Sequence, residues 1–232
     1  EAIGQLTAGL AHDFNNLLAV RSSGVGILHA QNPGSTTLRV QDSMRRATDR
    51  GALPTQQLLS FARQQPLSAA LHQANALIGS FEQVLRRASG PQVSFVFDLA
   101  PRLASIVVDE ARFEATLLNL VVNARDAMPG GGSLMLETRN IRLRGKEVGT
   151  LPAGDYVRVT VRDSGTGMTP EVVTRAFEPF FTPKPVGKGT GLGLSQVYGF
   201  ITQSGGDVQI RTELGKGTAI SLFLPAHETA DE

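Results

Sequence analysis

The residues best suited to chemistry stand in four short stretches. Gly187-Lys188-Gly189-Thr190-Gly191-Leu192-Gly193 places glycines at alternate positions. Leu192, Leu194, Val197, Tyr198 and Ile201 then follow at roughly helical spacing. A glycine-rich loop opening a helix offers unpaired backbone N–H groups and the positive end of a dipole, where a polyphosphate can sit. The dinucleotide string GxGxxG does not fit this loop, and no Walker lysine precedes the threonine. Taken alone it reads equally as a flexible surface loop. Upstream, Val159 and Val161 lead a strand into Asp163-Ser164-Gly165-Thr166-Gly167. A carboxylate at a buried strand end can only accept, so an amino group such as that of adenine suits it. An Asx-turn is the plainer reading.

Asn119 and Asn123 stand four residues apart and share one helical face. Two amide oxygens at that spacing can complete the shell of a hydrated Mg²⁺ carried in by a nucleotide; a polar helix face is the alternative. On a helix near the start, His12 lies off the apolar stripe, with Asp13 beside it and Asn16 one turn on. This is an exposed histidine with polar neighbours, or an imidazole nucleophile held in one tautomer by a carboxylate.

The totals narrow what can position these groups. A chain of 232 residues is one large domain or two small ones. Hydrophobic content of 41% and charged content of 19% are those of a soluble globular chain. A net charge of +1 gives no bulk attraction to nucleic acid or to an anionic membrane. With no cysteine there are neither disulfides nor thiolate metal sites. No apolar run reaches the roughly 18 residues of a membrane span. The chain starts inside a helical pattern, as a fragment of a longer protein would.

Ile3, Leu6, Leu10, Phe14, Leu17 and Val20 make one amphipathic helix. Asn32-Pro33-Gly34-Ser35 is a turn, and a second stripe runs from Val40 through Met44, Ala47, Leu58 and Phe61 to a stop before Pro66. Such a hairpin buries its stripes poorly, so two hairpins pairing as a four-helix bundle are expected, and with them a homodimer. Gly24, Gly26 and Pro54 weaken these helices.

Further on, Leu71 to Ala88 reads as a linker and a helix, and Val93 to Phe97 alternates like a strand. Asp109 is a plausible N-cap for a helix through Met128, ended by Pro129-Gly130-Gly131-Gly132. Strands are expected at Leu134 to Ile141, Tyr156 to Arg162, Gly206 to Arg211 and Thr218 to Leu224. The fold class is therefore α+β: the helical hairpin, then an α/β sandwich in which a mixed sheet carries helices on one face.

Taken in chain order, His12-Asp13, Asn119/Asn123, Asp163-x-Gly165-x-Gly167 and Gly189-x-Gly191-x-Gly193 resemble the H, N and two glycine boxes of the sensor histidine kinases. Phe177-Glu178-Pro179-Phe180-Phe181 resembles the phenylalanine box of that family, and Gly215-x-Gly217-Thr218 its last glycine box. The strings HDFNN, NARDAM and EPFFTPK look most like the subclass found in hybrid and nitrogen-regulator-type kinases.

The resemblance implies a dimerisation and phosphotransfer hairpin over 1–68 and a Bergerat-type ATP-binding domain over 69–232. It implies His12 as phosphoacceptor, Asp13 as the base that orients it and Asn16 as the residue that orients water for dephosphorylation of a partner. It places Asn119 and Asn123 at Mg²⁺ and the phosphates, with Asp126 and Lys184 also in the ATP site. Asp163 would read adenine, with Thr218 nearby and Gly165 and Gly167 flanking the nucleotide. Residues 177–190, starting at Phe177, would form a mobile lid. Gly189, Thr190, Gly191, Leu192 and Gly193 would bring backbone N–H groups to the phosphates. The implied partner is an aspartate of a response regulator receiver domain, and the implied location is cytoplasmic, without membrane contact by this fragment. Two other readings keep parts of the pattern: a gyrase- or chaperone-like ATPase, which typically has an acidic residue where Asn119 stands, and a degenerate kinase acting as a scaffold.

Overall fold

The computed structural model describes residues 68–184 and 190–227. The hairpin expected over 1–68, with its homodimer contact, and the weak positions Gly24, Gly26 and Pro54 fall outside the described residues.

The first strand, β1 (Ala70–Gln73), runs directly into α1 (Ala74–Ser89). Ala74, Leu77, Ile78 and Leu85 fall three, four and seven apart and are the face that α1 buries. Next come β2 (Val93–Leu99) and β3 (Ser105–Val108), then α2 (Glu110–Asp126). As expected, Asp109 caps α2: its carboxylate accepts the Arg112 N–H at 3.0 Å. Phe113, Leu117, Leu120, Val121 and Ala124 make the buried stripe of α2. The helix stops at Asp126, two residues short of the sequence reading. Met128 precedes Pro129, and the proline ring drives its predecessor out of the helical region.

Then follow β4 (Gly132–Leu143), β5 (Gly154–Asp163), a short α3 (Pro170–Arg175), α4 (Gly193–Gln203), β6 (Asp207–Glu213) and β7 (Gly217–Pro225).

Five strands form one mixed sheet in the order β2-β4-β5-β7-β6. The β2–β4 pair is parallel and the other pairs are antiparallel. Period-two alternation sends Leu134 and Leu136 of β4, Val157, Val159 and Val161 of β5, and Ile220, Leu222 and Leu224 of β7 into one core with α1, α2 and α4. The opposite face is polar over the middle strands. There Glu137 pairs with Arg158 at 2.7 Å, and the Thr160 and Ser221 hydroxyls meet at 2.9 Å. A small apolar cluster of Leu143, Val148, Leu151, Tyr156 and Phe223 covers the far end of that face.

Three elements differ from the sequence reading. The stretch read as a linker contains β1, which pairs antiparallel with β3 in a separate two-stranded sheet, Ala70 opposite Val108 and Gln73 opposite Ser105. Four-residue strands are too short to display a period, so neither was visible. The other unforeseen element is α3, a six-residue helix with proline at its first turn.

A nucleotide cradle between two helices and a strand end

The helix α2 gathers the site. Asn119, Asn123 and Asp126 are four and three residues apart, so they form one stripe along the helix. The start of α4 lies against that stripe. A methyl group added to Gly193 would stand 3.5 Å from Nδ2 of Asn123 and 3.8 Å from Oδ1 of Asn119. Any larger residue would narrow the space between the two helices. Leu192 precedes α4 without a side-chain cap among the described residues. The Thr190 hydroxyl accepts the Leu192 N–H at 3.4 Å, and Ser195 bonds back to the Leu192 carbonyl at 2.9 Å. The start of α4, the positive end of its dipole, thus lies beside the asparagine stripe, an arrangement that attracts anions.

The C-terminal end of α2 meets the second part of the cradle. Thr166 donates its N–H to the Ala127 carbonyl at 3.1 Å, and the Ser164 hydroxyl supports Ser133 N–H at 2.9 Å. These contacts seat the loop after β5 beneath the helix end. At the head of that loop Asp163 is 9% exposed. Its Oδ1 accepts the Gly165 N–H at 2.8 Å and the Thr218 N–H at 3.3 Å. The first of these is the Asx-turn anticipated as the plainer reading. Burial pushes the Asp163 carboxyl above the usual aspartate range, and the backbone N–H groups of Gly165, Thr218 and Asp163 itself offset this only in part.

Thr212 is the residue that sequence reasoning missed. Its hydroxyl accepts the Met168 N–H at 3.0 Å, donates to the Gly217 carbonyl at 2.9 Å and meets the Thr218 hydroxyl at 3.0 Å. It thereby ties the glycine loop after Asp163 to the β6–β7 hairpin. The Gly215-x-Gly217 turn was the available signal, because a hairpin closed there sets Thr212 opposite Thr218.

Gly167 shows how tightly that loop is laid down. Its φ is +67°, and a methyl group there would stand 2.1 Å from the Glu213 carbonyl oxygen. Gly167→Ala is expected to lower unfolding stability by about 2 kcal/mol. Gly199 lies in α4 with nothing within 4 Å of an added methyl. Gly199→Ala is expected to raise stability by about 0.5–1 kcal/mol. Urea unfolding followed by circular dichroism checks both, and equal effects would mean the Gly167 contact is not tight.

The segment from Phe177 to Lys184 closes one side of the cradle. The Phe177 ring stacks on Tyr198 of α4 with centroids 4.8 Å apart. Arg175 lies over the Phe181 ring at 4.2 Å and pairs with Glu178 at 2.9 Å. The Phe180 backbone runs beside Gly191, where a methyl group would meet the Phe180 carbonyl carbon at 2.3 Å. Lys184 reaches the asparagine stripe: its Nζ donates to Oδ2 of Asp126 at 2.8 Å. Arg125 takes the other oxygen, Oδ1, at 2.7 Å. Burial would push the Asp126 carboxyl up, but the hydrogen bonds and charges of Lys184 and Arg125 outweigh it and hold the group below the usual range.

The structure thus brings Asn119, Asn123, Asp126, Lys184, Thr190, Gly191, Leu192 and Gly193 to one side of the cradle. Asp163, Gly165, Gly167 and Thr218 stand at the other, and Phe177 backs α4. His12, Asp13, Asn16 and Gly189 lie outside the described residues.

Among the described residues, no group of three or more His, Cys, Asp or Glu side chains could hold a metal ion. The amide oxygens of Asn119 and Asn123 are of a chemistry that suits a hydrated Mg²⁺. Such an ion keeps several waters and arrives on phosphate oxygens, and Asn119 and Asn123 would add their amide oxygens.

A mixed sheet with helices on one face, and a cradle between a helix start and a strand-end carboxylate, define an α+β nucleotide-binding domain. Residues 108–228 match the family described as histidine kinase-, DNA gyrase B-, and HSP90-like ATPase, and the chain belongs to that family. It is similar to the sensor kinase CckA of Brucella abortus (strain 2308), at 40% identity over 97% of this chain and 24% of that protein. Full-length ShkA, solved in complex with AMPPNP, shares the fold at a TM-score of 0.80 and 24% identity, over 98% of this chain and 47% of that one. The histidine kinase ThkA, solved in complex with the response regulator protein TrrA, shares it at a TM-score of 0.62 and 22% identity, over 97% of this chain and 62% of that one. The chain spans about a quarter of the length of CckA.

Proposed function

We propose that the chain is the catalytic core of a protein histidine kinase. It binds ATP between α2 and α4, transfers the γ-phosphoryl group to His12 and passes it to an aspartate of a response regulator receiver domain. The observation that carries this reading is the shared cradle: an acceptor-only carboxylate oxygen at Asp163, and an uncapped helix start facing Asn119 and Asn123.

In this reading Oδ2 of Asp163 accepts the adenine amino group, while Oδ1 stays with Gly165 and Thr218. The backbone N–H groups from Gly189 to Gly193 and the Lys184 ammonium neutralise the phosphates. Bound Mg²⁺ supplies charge neutralisation of the phosphate oxygens, held by Asn119 and Asn123. Phosphoryl transfer needs little covalent work from the protein, so positioning and charge dominate. Asp13 holds one ring N–H of His12, which leaves the other nitrogen to attack phosphorus. The N–P bond forms as the bond to the β-phosphate oxygen breaks, and ADP leaves. Residues 177–190 serve as the lid that keeps water out. Residues 1–68 pair as a homodimeric four-helix bundle. Asn16, one turn from His12, orients water against the phospho-aspartate of the regulator.

Support for the regulator as partner comes from ThkA, a neighbour in fold solved with one. No helix among the described residues is long and apolar enough to cross a membrane. We place the fragment on the cytoplasmic side, where ATP is available.

Incubation with γ-labelled ATP and Mg²⁺ tests the reading. The expected product is labelled protein whose phosphorus is lost in acid and retained in base, as a phosphoramidate requires. Release of free phosphate with no label on the chain would instead make this an ATPase module.

A further inference from the structure

The ion pair between Lys184 and Asp126 carries an inference about how the cradle tells one nucleotide from another. It builds on the nucleotide reading above. The pair joins residues 58 positions apart and fastens the segment after the phenylalanine cluster to the end of the asparagine stripe. Both side chains are about one-third exposed, so the pair stands at the mouth of the cradle and not in its floor. The two oxygens of Asp126 have separate partners: Oδ2 takes Lys184, and Oδ1 takes Arg125 through Nη2 at 2.7 Å and Nε at 3.1 Å. Removing Lys184 would therefore leave Asp126 neutralised by Arg125. The usual cost of breaking an ion pair, an abandoned partly buried charge, is avoided on this side.

We propose that Lys184 exchanges partners, leaving Asp126 for the terminal phosphate of the bound nucleotide, and that the exchange sets the preference for a triphosphate over a diphosphate. A terminal phosphate offers three acceptor oxygens and more charge than a carboxylate, so it draws the ammonium away. Asn123 and Asn119 stand about one and two helical turns before Asp126 on α2, with the α4 start beside them, so the lysine sits at the end of the stripe assigned above to the phosphates. Asp126 is then a competitor for Lys184. Because Lys184 ties the stretch that begins at Phe177 to the end of α2, its choice of partner positions that stretch.

Calorimetric titration of the full chain with Mg²⁺ and either ADP or a non-hydrolysable ATP analogue tests the exchange, with the two single variants and the double variant. Lys184→Met is expected to lower affinity for the triphosphate about tenfold and to leave that for ADP within about twofold. Asp126→Asn frees the lysine and is expected to raise triphosphate affinity about two- to fivefold, again with little change for ADP. In Lys184→Met the effect of Asp126→Asn is expected to vanish, since the two groups act through each other.

Circular dichroism and thermal melting without nucleotide show that each variant folds, and loss of ADP affinity equal to the loss of triphosphate affinity in Lys184→Met would overturn the exchange. Asp126→Asn weakening the triphosphate as much as Lys184→Met would overturn the exchange and make Asp126 a support for the lysine. An Asp126→Asn effect that persists without Lys184 would also overturn it. Failure of the unsubstituted chain to bind even ADP would remove the nucleotide reading itself, and the exchange with it.

Discussion

His12→Ala is expected to abolish the transfer of label from γ-labelled ATP to the chain, while leaving nucleotide affinity at the unsubstituted level. No other nitrogen in the proposed scheme replaces the imidazole as nucleophile, so the loss is total and not partial. Asp13→Asn depresses labelling, because it removes the charge that stabilises the ring N–H as positive charge develops on the imidazole. Asn16→Ala is expected to leave labelling close to normal and to slow dephosphorylation of the regulator, because an amide can orient water but has no ionisable group to serve as the base for autophosphorylation. The three variants are compared in one time course, with calorimetry on the same samples. Equal loss of labelling in Asn16→Ala and Asp13→Asn would refute the division of roles. Persistent acid-labile label in His12→Ala would place the phosphoacceptor elsewhere.

Asp163→Asn is expected to separate binding from stability. Oδ1 already accepts from Gly165 and Thr218, so an asparagine must keep its oxygen there and turn its NH₂ toward the adenine amino group. Donor then faces donor where a charge-assisted hydrogen bond stood, a change of about 3 kcal/mol, or roughly a hundredfold in affinity. The stability effect has the opposite sign. The carboxyl is raised above its ordinary range by burial, so the folded chain binds a proton more tightly there than the unfolded chain does. Stability from this group is present at low pH and is lost as pH rises from the unfolded value through the raised folded one. At neutral pH the ionised carboxylate destabilises the empty protein, and asparagine removes that burden. The nucleotide-free variant should melt at the same temperature or higher, and its melting temperature should respond less to nucleotide. A variant that loses both affinity and thermal stability would make Asp163 a structural residue.

Much of the site could be read from sequence because its residues sit where local rules speak clearly. Val159 and Val161 alternate into Asp163, which fixes a strand end with a carboxylate facing the core. Asn119 and Asn123 share a face by helical geometry alone, and Asp109 announces the helix that carries them. The remainder depended on contacts between distant parts of the chain. Thr212 matters through Met168, on the far side of α3 and α4 in sequence. Lys184 and Asp126 could each be assigned to the site by resemblance, yet their pairing with each other has no local signature. The β1–β3 sheet stayed hidden because four-residue strands owe their pairing to a partner over thirty positions away and not to a pattern of their own.

The position of β7 has a consequence for how the protein is made. It is the last of the described strands in the chain, yet it lies inside the sheet, between β5 and β6. During synthesis β5 therefore waits with one edge unpaired, its Val157, Val159 and Val161 already available for association with other chains. The same late strand delivers the Thr218 N–H that holds Asp163 in place. A nascent chain in which β7 has not yet emerged has neither a closed sheet nor the Thr218 N–H that holds the Asp163 carboxylate. Translation itself thus leaves the proposed cradle unfinished until the strand that seals the hydrophobic layer has arrived.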